Sequence, residues 1–225
     1  MNSREYLDHL SAAYQLRANP EKAAYMKKYM LGQYAYFGLA APERRELQKQ
    51  FIRDHGLPGP AELEEITMAL WSQPEREFQY FAMEMLEKYR KKVPENFIAT
   101  YEKMILGKSW WDTVDYIAAV LVGEYFKRFP GAIVPVTSKW MSSGNMWLQR
   151  TCILFQLKYK KQTDFELLTS FILPVAGSKE FFLRKAIGWA LREYSKTDPS
   201  QVTGFVHAVE LSNLSRKEAL RRIKI

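Results

Sequence analysis

Val114-Asp115-Tyr116-Ile117-Ala118-Ala119-Val120-Leu121-Val122-Gly123-Glu124-Tyr125 is the stretch whose reading sets the fold. Counted back from Tyr125 by 11, 7, 4 and 3 residues, Val114, Ala118, Leu121 and Val122 fall on one face of a helix. The same offsets recur ahead of three more tyrosines, each preceded by a charged residue. Phe78, Ala82, Met85 and Leu86 precede Tyr89; Leu148, Cys152, Phe155 and Gln156 precede Tyr159; Leu183, Ile187, Ala190 and Leu191 precede Tyr194. Gln156 is the one polar member of these four stripes. The tyrosines stand 36, 34 and 35 residues apart, which is a helical-repeat period.

A shorter helical segment follows each lead helix, as at Glu95 to Leu106, Ile133 to Met141 and Phe165 to Val175. Helix-breaking marks separate the segments: Asn19-Pro20, Ala41-Pro42, Gly59-Pro60, Gln73-Pro74, Pro94, Phe129-Pro130-Gly131, Gly144-Asn145 and Asp198-Pro199. No strict alternation of apolar and polar residues lies between them. Pairs of this length cannot each enclose a core, so they must stack. The expectation is an all-α chain of about twelve helices, a right-handed α-solenoid of about six pairs forming one domain over 1–225, whose concave face binds its ligand.

The 33 Lys and Arg against 25 Asp and Glu give a formal charge of +8, and the excess is uneven. From Asn145 to Ile225 there are 14 cations against 7 carboxylates, whereas residues 1–144 hold 19 against 18. A polyanion is the natural counterpart of the C-terminal field. The single cysteine, Cys152, cannot close an internal disulfide, and no CxxC or histidine cluster offers a zinc site. Gly32 to Gly38 has neither the spacing nor the lysine of a phosphate loop, and His9, His55 and His207 are scattered without a nucleophile. The polar start, Met1 to Asp8, does not read as a signal peptide, and the apolar run near Tyr116 to Val122 is shorter than the ~18 residues that span a bilayer. A soluble, cytoplasmic monomer without cofactor or metal is expected.

Ser109-Trp110-Trp111-Asp112-Thr113-Val114-Asp115 opens the second repeat. Because Val114 belongs to the buried stripe, Trp111 and Asp115, four apart, share a different face. Arg150 and Lys185 lie nine before their tyrosines and Asp115 ten before its own, so all three occupy neighbouring rows of equivalent helices. Lys185, Trp189 and Arg192 line one face of the fourth lead helix, and Lys158 stands just ahead of Tyr159. Each of these has a plain alternative: aspartates in a first turn cap or complement the helix dipole, tryptophans at helical spacing pack in cores, and cations form surface pairs.

Together with Trp147-Leu148-Gln149-Arg150, Ser178-Lys179-Glu180-Phe181-Phe182, Lys185-Ala186-Ile187-Gly188-Trp189 and Leu191-Arg192-Glu193-Tyr194, that opening string resembles the AlkD-type DNA alkylation repair glycosylases, built of HEAT-like repeats. Pro42-Glu43-Arg44-Arg45 and Pro74-Glu75-Arg76-Glu77-Phe78 extend the resemblance over nearly the whole chain. It implies a monofunctional glycosylase that removes cationic N3- and N7-alkylated purines from duplex DNA, without flipping the base. By the same resemblance Asp115 is the catalytic aspartate, Trp111 and Trp189 the two active-site tryptophans, and Arg150 and Tyr29 residues at the DNA. Lys158, Lys185 and Arg192 add phosphate contacts from the basic half. The family pattern also implies a Thr where Ala41 precedes Pro42, and a short tail beyond Ile225. Two other readings stand beside it: a non-catalytic HEAT-like scaffold in which Asp115 is a cap, and a lyase using Lys185 as nucleophile.

Overall fold

Six of the helices begin where the sequence supplies a cap. In the computed structural model, which describes residues 2–223, Asn2, Asn19, Asn145, Asp164, Asp198 and Ser212 each accept a main-chain N–H of the following first turn. Asn2 and Glu5 complete a capping box. Pro20 and Pro199 open their helices, where a missing N–H costs nothing. The helix that begins at Ala41 has Ala40 in the cap position and no side-chain bond there, so its start rests on Pro42 and on packing.

Main-chain contacts group the chain into two compact units, one up to Val93 and one from Pro94 onward. The first holds α1 (Ser3–Gln15), α2 (Pro20–Tyr29), α3 (Ala41–His55), α4 (Leu63–Ser72) and α5 (Arg76–Tyr89). Its long α2–α3 connection is fastened by one buried carboxylate: Glu77 accepts from the N–H groups of Phe37, Gly38 and Leu39 at 3.0 to 3.2 Å. Burial pushes the Glu77 carboxyl up, against the pull of those donors. Gly38, at φ +88°, is obligatory here, because a Cβ would stand 2.1 Å from the Asn19 carbonyl oxygen. Arg44, also buried, forks onto Glu84 at 2.9 and 3.0 Å and reaches Gln48, which donates to the Tyr14 hydroxyl. Two of the strings that carry the family resemblance, around Arg44 and Glu77, therefore build the scaffold of this unit.

The second unit holds α6 (Ile98–Leu106), entered through a 3-10 turn at Glu95–Phe97, and α7, which is α-helical at Trp111–Tyr116, π-helical at Ile117–Val122 and α-helical again at Gly123–Arg128. It continues with α8 (Ile133–Ser142), α9 (Met146–Leu154), α10 (Phe165–Ile172), α11 (Phe181–Tyr194), α12 (Pro199–Ala208) and α13 (Asn213–Leu220). Taken as continuous rods these make thirteen helices among the described residues, and the chain is all-α, of the α-solenoid class. Among the described residues the only extended pairing is an isolated bridge between Ala35 and Glu75, in the first unit.

All sixteen stripe positions of the four repeats are buried, Gln156 included. Gln156 satisfies both ends of its amide on the main chain of Asp164, at 2.8 and 3.1 Å, which makes a polar residue tolerable in the stripe. Three of the marker tyrosines explain the period. The Tyr89 hydroxyl donates to the Pro58 carbonyl at 2.5 Å, Tyr125 to Glu95 at 2.6 Å and Tyr159 to Gly123 at 2.6 Å, each reaching back 30 to 36 residues, about one repeat. Tyr194 departs from the set: its hydroxyl meets the side chain of Gln201 and its ring stacks on Phe165 at 4.6 Å. In the second unit α7, α9 and α11 pack in succession, and α11 packs against α13. That succession positions the site.

Candidate functional site

Side chains from α7, α9, α11 and α13, most of them half-buried, line a pocket of about 310 Å³ in the second unit. From α7 come Trp111 and Asp115, from α9 Arg150, from α11 Lys185, Trp189 and Arg192 with Phe181 and Phe182, and from α13 Glu218. Six residues singled out from spacing and resemblance thus meet at one place: Asp115, Trp111, Trp189, Arg150, Lys185 and Arg192. Trp111 and Trp189 are half-buried at its wall, in contrast to Trp140, which is fully buried with its Nε1 donating to Glu102 at 2.8 Å.

Asp115 is not a cap. The cap position of α7 is Trp110, which makes no side-chain cap bond, and the Asp115 carboxylate turns to Arg150. Arg150 Nε donates to Oδ1 at 2.7 Å and Nη2 to Oδ2 at 2.8 Å, a two-point fork. Its Nη1 donates to the Phe182 carbonyl, so one guanidinium ties α7, α9 and α11 together. Arg150 is only 4% exposed, and all three of its donor groups point at protein acceptors; it stands beneath Asp115. Asp115 is 14% exposed and keeps an edge toward the pocket. Burial pushes the Asp115 carboxyl up from the ordinary aspartate range; the bonds and charge of Arg150 pull it down, and Asp112 adds a smaller upward push. Behind this pair Trp110, Trp147 and Phe182 form an aromatic layer, with ring centroids 5.0 to 6.0 Å apart.

On the opposite flank Lys185 Nζ donates to Glu218 Oε2 at 3.0 Å and the Arg192 guanidinium meets Glu218 Oε1. Burial and the nearby charges of Arg221 and Arg222 push Arg192 down. Glu218 is the residue that sequence reasoning missed. It lies in a helix rich in ordinary surface charges, and its only herald is Gly188, a glycine in a helix interior, where close approach of another element is the usual reason. A Cβ at Gly188 would stand 2.5 Å from the Glu218 Cβ and 3.0 Å from the Ser215 carbonyl oxygen. Phe181, 57% exposed at the pocket rim, was likewise not singled out for a role.

Two expected site residues lie elsewhere. Lys158 is exposed in the turn after α9, outside the pocket, and Tyr29 is exposed on α2 of the first unit, a helix with no buried residue. His9 and His55, scattered in sequence, meet in that unit with ring centroids 4.7 Å apart, and both are exposed. Among the described residues no three His, Cys, Asp or Glu side chains are grouped to hold a metal ion, and no helix is long and apolar enough to cross a membrane.

An all-helical repeat protein with a carboxylate, two indoles and a set of cations around one pocket is the class that these elements define. Residues 10–223 match the family described as DNA alkylation repair enzyme, and the chain belongs to that family. A solved structure described as a predicted DNA alkylation repair enzyme from Enterococcus faecalis is similar at 30% identity and a TM-score of 0.85, over 92% of this chain and 96% of that one. No curated protein sequence matches the chain. Family membership gives the protein a role in the repair of alkylated DNA.

Proposed function

We propose that the protein is a monofunctional DNA glycosylase that excises cationic N3- and N7-alkylated purines from duplex DNA. Alkylation at either nitrogen leaves the purine positively charged. When the bond from C1′ to the base nitrogen breaks, its electron pair stays with the base, which departs neutral and needs no general acid. Positive charge then develops on the deoxyribose. Asp115, ionised and held by Arg150, opposes that charge from the pocket wall, and the faces of Trp111 and Trp189 add their negative quadrupoles. Water adds to C1′, its proton passing to Asp115 or to solvent, and an abasic site remains.

Lys185, Arg192 and Lys158 serve as phosphate contacts in this reading, with Tyr29 at the duplex. Arg150 acts chiefly through Asp115, since each of its three guanidinium nitrogens already donates to the protein and the side chain is buried. The pocket meets the lesion from its sugar side, so the base need not be flipped and bulky adducts fit. The single observation that carries the reading is the Asp115 carboxylate, locked by a two-point fork yet open to a pocket walled by two indoles. Incubation with duplex DNA containing 7-methylguanine or 3-methyladenine tests it, by chromatography of released base and cleavage of the abasic product. Duplex binding without base release from the wild-type protein would make it a non-catalytic scaffold.

A further inference from the structure

Glu218 stands where the site should least want a carboxylate, on the cationic flank of a pocket assigned to a polyanion. Its two oxygens are taken separately, Oε2 by Lys185 Nζ at 3.0 Å and Oε1 by the Arg192 guanidinium. Glu218 is 12% exposed and Lys185 38%, so the pair is reachable at its lysine edge while the carboxylate lies deeper. The placement is built into the packing of α13 on α11. Gly188 removes the Cβ that would collide with Glu218, and Ser215 Oγ, one turn earlier, donates to the Arg184 carbonyl at 3.0 Å. A glycine in a helix interior costs about 1 kcal/mol relative to alanine. Here it lets a second helix deliver one side chain. The charges of Arg221 and Arg222 also bear on Arg192, which adds to the positive field on this flank.

Two oxygens of one anion, each bound by a different cation, is also how a lysine and an arginine share the two non-bridging oxygens of a phosphodiester. We propose that Lys185 and Arg192 form a backbone-phosphate site and that Glu218 is its internal stand-in, occupying the cations in the free protein and yielding them to a DNA phosphate. The proposal rests on the reading that duplex DNA is the ligand of this pocket. Glu218 is then a positioning residue: it keeps two like charges converged and sets how tightly undamaged DNA is held, because each phosphate must displace it.

The test is equilibrium binding of a short unmodified duplex to wild type and to Glu218→Gln across a series of salt concentrations. Removing the competing charge should tighten binding about three- to tenfold at low salt and steepen the slope of log K against log salt by up to about 0.9, the signature of one more uncompensated positive charge at the phosphates. Lys185→Gln/Arg192→Gln in the Glu218→Gln background should abolish the gain. A merely structural role for Glu218 would weaken binding, or lower the melting temperature with no change in slope. Glu218→Asp, which keeps the charge but cannot span both cations, should give a smaller gain and carries the test should Glu218→Gln fail to fold. Unchanged or weaker binding in the folded variant, with wild type binding normally, overturns the inference alone. Absence of duplex binding by wild type overturns the DNA reading with it.

Discussion

Asp115→Asn keeps the shape of the side chain and one oxygen for Arg150 while removing the charge. Two effects follow from the geometry. A carboxylate about 4 Å from a cationic deoxyribose contributes on the order of 4 kcal/mol at an effective dielectric near 20, roughly a thousandfold in rate. Loss of one electrostatic stabiliser in other enzymes costs about 10² to 10³. Single-turnover release of 7-methylguanine should therefore fall by about 10² to 10³. The second effect concerns stability, because Arg150, at 4% exposure, loses its counter-charge. Breaking a buried pair costs about 3 to 5 kcal/mol, and the surviving bond to the Phe182 carbonyl places this case near 3. At about 2 to 4 °C per kcal/mol for a chain of this size, the melting temperature should drop by about 6 to 12 °C. The two effects separate in Asp115→Asn/Arg150→Gln, where neither charge remains. That variant should recover most of the melting temperature and none of the rate. Asp112→Asn is the control, with about 0.3 to 1 kcal/mol at stake through the helix dipole. Base release by folded Asp115→Asn within about threefold of wild type, or a double variant that regains rate along with stability, would refute the reasoning.

The remaining expectations are shorter. Burial holds the Asp115 carboxyl above the ordinary aspartate range, and the ionised form is the working one, so excision should fail on the acid side at a higher pH than an exposed aspartate would give. Arg150→Gln removes the bonds and charge that pull this group down, so the acid limb of the rate profile should move to still higher pH; a limb that stays put or moves down contradicts the assignment. Gly38→Ala places a Cβ 2.1 Å from the Asn19 carbonyl oxygen at φ +88°, and should cost about 2 kcal/mol or more, read by denaturant titration. Tyr159→Phe deletes the bond to the Gly123 carbonyl at 2.6 Å and should cost about 1 kcal/mol, or about 2 to 4 °C, without altering the chemistry.

The fold was legible because a repeat writes the same physical demand several times over. Phe78, Val114, Leu148 and Leu183 sit at one offset from four tyrosines, and a stripe that recurs every ~35 residues can be buried only by stacked helices. Helix starts were legible for the same local reason, since an Asn or Asp cap acts within three residues of itself. Spacing also placed Asp115 beside Trp111, and Lys185 beside Trp189 and Arg192, because residues three and four apart share a helix face whatever the tertiary structure does. What lies between helices was decided in three dimensions. Arg150 reads as an open cation along the chain, yet α9 packs between α7 and α11 and turns its whole fork inward, onto Asp115 and the Phe182 carbonyl. Lys158 keeps its place beside a marker tyrosine but falls in the turn where α9 has already ended, away from the pocket. Glu218 carries no local sign at all. Its partners stand 26 and 33 residues back on α11, at an approach that a missing Cβ at Gly188 permits, and long-range pairing of that kind is a property of packed helices rather than of any window of sequence.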